Sequence, residues 1–97
     1  MTLKIAQQAD ALHFTGVLNR DTLMLYSPFT QLNKLSGNVK FDFNTLDNID
    51  TAGLAWLLQQ LSAATRLGIT ITLCNVPQQL LSLADVTAVR ALLPIID

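Results

Sequence analysis

The sequence is poor in the residues on which active-site chemistry draws. Of its 97 residues one is cysteine, one is histidine, four are glycine, and charged side chains make up only 13%. The lone Cys74 excludes an internal disulfide and leaves no second thiol for a redox pair or a metal site. The glycines are scattered, so neither a phosphate-cradling loop nor a dinucleotide fingerprint is present. Six basic and seven acidic side chains leave a net charge of -1. No Lys/Arg cluster stands ready to neutralise several phosphates, which argues against nucleic acid as a partner. Mean hydropathy is +0.40, yet the densest apolar run, Leu54 to Leu58, is far short of the roughly 20 residues that span a bilayer. Direct membrane insertion is not expected. Met1 to Gln8 turns polar before a signal-peptide apolar region develops, so the expected location is the cytoplasm.

Apolar residues, at 51%, are in good supply. One domain over residues 1–97 is the expectation, since a chain this short buries only about two thirds of its unfolded surface. Leu3, Ile5 and Gln7, then Leu12, Phe14 and Gly16, alternate on either side of Ala9-Asp10-Ala11, the pattern of a hairpin of half-buried strands. From Arg20 to Leu35, Leu25, Phe29 and Leu32 fall at helical spacing, with Ser27-Pro28 marking a capped start or a kink. Ser36-Gly37-Asn38 closes that segment, and Val39 to Phe43 alternates as a strand. Asn44 to Asp50 is expected as a polar loop, followed by a helix from Thr51 to Leu67 that stops at Gly68. Ile69 to Cys74 is rich in β-branched residues and predicts a strand. Asn75-Val76-Pro77 opens a short helix through Ala84, Thr87 to Leu92 another, and Leu93-Pro94-Ile95-Ile96 a closing edge strand.

Strands alternating with helices after an initial hairpin imply a mixed, mostly parallel α/β sheet with right-handed crossovers. The loop before the long helix then lies at a strand's carboxyl end, where binding sites gather, so Asp47 to Gly53 is the first place to look. Acid/base, nucleophilic and metal sites each need several side chains brought together. His13 lies on a strand far in sequence from Cys74, which ends another strand as a small buried hydrophobe. Asp42, Asp47 and Asp50 could converge on a cation, but turn and helix-entry roles explain Asp47 and Asp50 without one. No catalytic residue, metal site or cofactor is expected, and the chain is read as a non-enzyme.

Thr51 occupies the place of a helix N-cap, an arrangement worth about 1 kcal/mol. An exposed hydroxyl there is also a possible phosphoacceptor, because free N–H groups and the helix dipole stabilise added negative charge. Along the helix, Leu54, Leu57, Leu58, Leu61 and Ala64 form a core stripe. The opposite face, Ala52, Trp56, Gln59, Gln60 and Ala63, is uncharged and holds the only tryptophan, a composition that matches an interface anchor.

Val39 to Phe43, Asp50-Thr51-Ala52-Gly53-Leu54-Ala55 and Gly68 to Leu73, with the tail Val76 to Ala84 and Leu92 to Ile95, resemble the STAS domain family over nearly the whole chain. The resemblance implies the STAS (anti-sigma factor antagonist-like) fold, with four to five strands and three to four helices. In the family's anti-sigma factor antagonists the position matching Thr51 is usually a phosphorylatable Ser followed by x-Gly. Here it is Thr with Ala52-Gly53. That form most resembles the STAS subunit of the phospholipid-transport ABC complex MlaFEDB of Gram-negative bacteria. The likeness implies a cytoplasmic accessory subunit, held at the inner membrane by its partner, an MlaF-like ABC transporter ATPase subunit. Its role would be to support a transporter that maintains outer-membrane lipid asymmetry. Asp50, Thr51, Ala52, Gly53, Trp56 and Gln59 are the expected partner-binding residues. The alternative is an anti-sigma factor antagonist whose partner is an anti-sigma factor kinase acting on Thr51.

Overall fold

The structure is a computed structural model that describes residues 2–26 and 29–96, with Leu25 described by its backbone alone. The expected cap or kink at Ser27-Pro28 lies outside the described residues. Strands β1 (Leu3–Gln8) and β2 (Ala11–Leu18) form the expected antiparallel hairpin. Strands β3 (Asn38–Ile49) and β4 (Thr70–Cys74) add in parallel, in the order β1-β2-β3-β4. Helices α1 (Arg20–Leu23), α2 (Thr51–Leu67) and α3 (Gln78–Val86) complete the α/β fold.

The core lies between one sheet face and the helices. Leu12, Phe14, Phe41, Phe43, Ile71 and Leu73 point into it from the strands, and Leu54, Leu57, Ala64, Leu80 and Ala84 from α2 and α3. The residues between them on the strands, such as Lys4, His13, Lys40, Asp42 and Thr72, are exposed or half-buried, as period-two alternation requires.

The expected polar loop from Asn44 to Asp50 is a correction: β3 runs on to Ile49. Its buried residues are Val39, Phe41, Phe43, Leu46 and Ile49, so the spacing widens from two residues to three. Against β2 the register shifts twice, between His13 and Thr15 and between Gly16 and Val17. Each shift inserts an extra residue in β3, a bulge that breaks alternation while keeping the strand paired.

The segment from Arg20 to Leu35 departs from one helix. Asn19 Oδ1 accepts from the backbone N–H groups of Asp21 and Thr22, while the Thr22 hydroxyl donates to Val17 O at 2.7 Å. These bonds tether the chain to the end of β2 after one turn. Two 3-10 turns, Met24–Tyr26 and Gln31–Lys34, follow. The Tyr26 hydroxyl accepts from Ile5 N at 3.0 Å and Gln31 Nε2 donates to Ile5 O at 3.3 Å. Side chains thus occupy the middle of the β1 edge, which blocks strand addition there.

At the other end, the expected helix from Thr87 to Leu92 is a 3-10 turn, Arg90–Leu92. The expected closing strand is a single parallel bridge, Leu73 to Ile95. Leu73 N donates to Pro94 O and Ile96 N to Leu73 O, both at 2.9 Å. Proline tolerates that position because its carbonyl, not its missing N–H, joins the sheet.

Candidate functional site

The end of β3 delivers the chain to the sheet's carboxyl edge, beside the end of β2, where Leu18 pairs with Ile49 and Asp50 N donates to Leu18 O at 3.2 Å. Helix α2 starts there, with a cap one residue earlier than expected. Asp50, not Thr51, is the N-cap: its Oδ1 accepts from Gly53 N at 2.9 Å. A carboxylate is the better cap, since its charge also meets the positive end of the helix dipole. Thr51 is therefore the first helical residue, exposed, and its hydroxyl is left without a hydrogen bond among the described residues.

Gly53 explains how the turn is held. It is buried, and a Cβ there would stand 2.5 Å from Leu18 O and 2.8 Å from Ile49 Cγ1. The first turn of α2 therefore lies directly on the ends of β2 and β3, and the small residue sets how the hydroxyl of Thr51 is presented. Gly53→Ala is expected to destabilise the protein by about 2 kcal/mol, because overpacking of about 3 kcal/mol outweighs a helix-propensity gain of about 1 kcal/mol. A chemical-denaturation midpoint equal to that of the wild type would contradict the close packing.

Of the residues expected on the opposite face of α2, Gln59 is exposed and Ala52, Gln60 and Ala63 are half-buried. Trp56 departs from the expected exposure. It is only 8% exposed, held between Phe29 at 5.0 Å and Phe14 at 6.0 Å between ring centroids, both edge-to-face. The segment between β2 and β3 folds over this side of α2 and covers the indole, so Trp56 is a core residue and not an exposed anchor. What remains open beside it is a groove of about 560 Å³ between α2 and the side chains of Leu23, Met24, Tyr26 and Phe29. On the core stripe, Leu54, Leu57 and Ala64 are buried and Leu58 and Leu61 partly so.

The carboxylates do not gather. Asp42 lies within β3 and Asp50 just past its end, eight residues on and on the order of 25 Å away at about 3.3 Å per residue, and Asp47 is exposed. Among the described residues no group of three or more His, Cys, Asp or Glu is placed to hold a metal ion. The sheet register does put His13, Asp42 and Cys74 in one cross-strand row. Asp42 stands in the middle, so His13 and Cys74 are two strand spacings, about 10 Å, apart. Burial pushes the Cys74 thiol up, and the neighbouring Asp42 charge pushes it further against the opposing pull of Lys40. It is held protonated, the opposite of what a nucleophilic cysteine needs.

Asp42 Oδ1 accepts from Asn75 Nδ2 and Asn44 N, each at 2.9 Å, and Oδ2 faces His13 Nδ1 at 3.4 Å. Burial pushes this carboxyl up, but the two hydrogen bonds and the His13 charge together outweigh it and hold the group below its ordinary value. A carboxyl whose folded-state pKa is depressed contributes stability that is present above its unfolded pKa and lost as pH falls through the folded one. Asp42→Asn is thus expected to flatten the acid limb of stability against pH. An unchanged limb in thermal melts across the carboxylate range would show that the network contributes nothing.

The STAS domain family model matches residues 4–97, and the chain belongs to that family. Among solved structures, it is similar to a candidate anti-sigma factor antagonist from Thermotoga maritima, with a TM-score of 0.74 at 16% identity over 98% of this chain and 86% of that one. It is also similar to the anti-sigma factor antagonist SpoIIAA in its unphosphorylated form, with a TM-score of 0.66 at 13% identity over 98% of this chain and 87% of that one. A search of curated protein sequences gives no match. Among the described residues, no helix is long and apolar enough to cross a membrane.

Proposed function

We propose that this STAS domain is a non-catalytic accessory subunit that docks on a partner protein through the start of α2. The observation that carries this reading is the division of labour in the turn. Asp50 makes the cap, Gly53 makes the packing, and Thr51 is presented to solvent beside the small Ala52, its hydroxyl without a hydrogen bond among the described residues. A residue held outward on so rigid a base suits recognition, because little conformational freedom is lost on binding.

The partner that best fits the Asp50-Thr51-Ala52-Gly53-Leu54 form is the ATPase subunit of an MlaFEDB-like ABC phospholipid transporter. In that setting the chain is cytoplasmic and reaches the inner membrane through the ATPase. It supports the ATPase by binding one of its conformations more tightly than the others. Titration of the purified ATPase with this protein tests the reading, and absence of a complex at micromolar concentrations sinks it.

A second reading is supported by the likeness to the two anti-sigma factor antagonist structures. Phosphate on Thr51 would add about 1.5 to 2 negative charges beside Asp50 and release the partner. Incubation with anti-sigma factor kinases and ATP, followed by intact-mass measurement, decides it: no added phosphate removes this reading.

A further inference from the structure

The turn alone is too small to hold a stable partner. A specific interface takes about 800 Å² from each side, spread over roughly 20 to 30 residues. In the turn, Gly53 is buried, and Asp50 and Ala52 are half-buried. A partner docked on Thr51 must therefore spread onto adjoining surface, and α2 offers one. Thr51, Ala55, Gln59, Ser62 and Arg66 are all exposed and stand three or four residues apart, which lines them up along one face of the helix. The ridge extends about 22 Å at 1.5 Å per residue and is uncharged until Arg66.

Gln59, Ser62 and Arg66 also form one wall of the groove of about 560 Å³, with Trp56 inside it and Leu23, Tyr26 and Phe29 on the far side. Met24, 76% exposed, lines it too. Arg66 is the only charged group in the lining among the described residues. Among the described residues the ion pairs are His13 with Asp42 and Arg90 with Asp85, so Arg66 has no anionic partner. The last turn of a helix favours a cation, which accounts for a positive charge there but not for the apolar wall opposite. The groove thus has one apolar wall, of Leu23, Met24, Tyr26 and Phe29, and one polar wall, with Gln59, Gln60 and Ser62 leading to the cation, which is complementary to a segment with an apolar side and a carboxylate.

We propose that the groove seats a segment of the partner protein that lays apolar side chains against Leu23, Met24, Tyr26 and Phe29 and places one acidic side chain on Arg66, so that the contact runs from Thr51 along α2. This rests on the reading of α2 as the docking element. The test titrates the purified ATPase with the full-length wild type, Arg66→Glu, Met24→Asp and Thr51→Asp, with thermal midpoints showing that each variant is folded. Weakening of about tenfold or more for both Arg66→Glu and Met24→Asp is the expected result. If Thr51→Asp loses binding while both groove variants bind as the wild type does, the groove is not part of the interface, although the docking role of the turn stands. If the wild type does not bind the ATPase, that partner falls, and a random peptide library displayed on phage and selected on the wild-type protein decides for the groove. Selected peptides that combine apolar residues with an Asp or Glu and lose binding to Arg66→Glu support it. No enrichment, or peptides indifferent to Arg66→Glu, overturns it.

Discussion

Replacing Trp56 with alanine is expected to lower the thermal midpoint by roughly 20 °C, from a loss of about 4 kcal/mol in a domain of this size. The expectation follows from burial. At 8% exposure the indole sits edge-on to Phe14, which itself packs on Phe41 at 5.2 Å and Phe43 at 4.9 Å, and to Phe29, which packs on Tyr26 at 6.4 Å. Tyr26 in turn holds the β1 edge. Truncation therefore opens a cavity at the junction of the sheet, α2 and the segment covering them, and the aromatic contacts on both sides are lost together. Trp56→Phe retains most of the packing and should cost much less. A Trp56→Ala midpoint within a few degrees of the wild type would show that the covering segment does not close over α2. The same burial means that lost binding in Trp56→Ala would report on folding, so Trp56 is a poor position at which to probe the interface.

Thr51→Asp is the opposite case, with little effect on stability and a large one on binding. The side chain is exposed at the first position of α2, where a negative charge meets the helix dipole favourably by about 0.3–1 kcal/mol. The variant should melt at or slightly above the wild-type temperature. In a docked complex the same carboxylate is desolvated without a counter-charge, a cost of about 3 kcal/mol or more, which is roughly a hundredfold in Kd. Thr51→Ala separates the two readings of the site. As a contact residue it loses only a small hydroxyl and methyl, whereas as a phosphoacceptor its removal abolishes any switch while leaving the partner bound. Titration calorimetry of both variants, with melting curves alongside, checks the pair. Equal affinity of Thr51→Asp and wild type would place the interface elsewhere.

Much of the fold was legible because its strongest local signals agree with its tertiary packing. The hairpin alternation, the α2 stripe, the stop at Gly68 and the β-branched run of β4 each reappear as elements. Gly68 closes α2 in the left-handed conformation, at φ 75°, as a helix-ending glycine should. The misreadings arise where pairing overrides the local pattern. Two bulges turned the period-two signal of β3 into period three, so Leu46 and Ile49 looked like isolated apolar residues in a polar loop. Side-chain bonds from Asn19 and Thr22 ended α1 after one turn, which no helical spacing in residues 20–35 could reveal. At the site, the turn itself was readable, but Asp50 and Thr51 are both good caps, and the choice between them depends on where β3 ends. The burial of Trp56 was hidden for a related reason, since the segment that covers it was expected to be a helix with no assigned place on α2.

The central claim, that the start of α2 is the docking surface, is tested most directly by amide NMR spectra of the labelled protein as the purified ATPase is added. The account predicts that the resonances of Thr51, Ala52, Gly53 and Ala55 shift or broaden first. Changes confined to the polar face of the sheet, at His13, Lys40 and Thr72, with the α2 resonances unmoved, would contradict it.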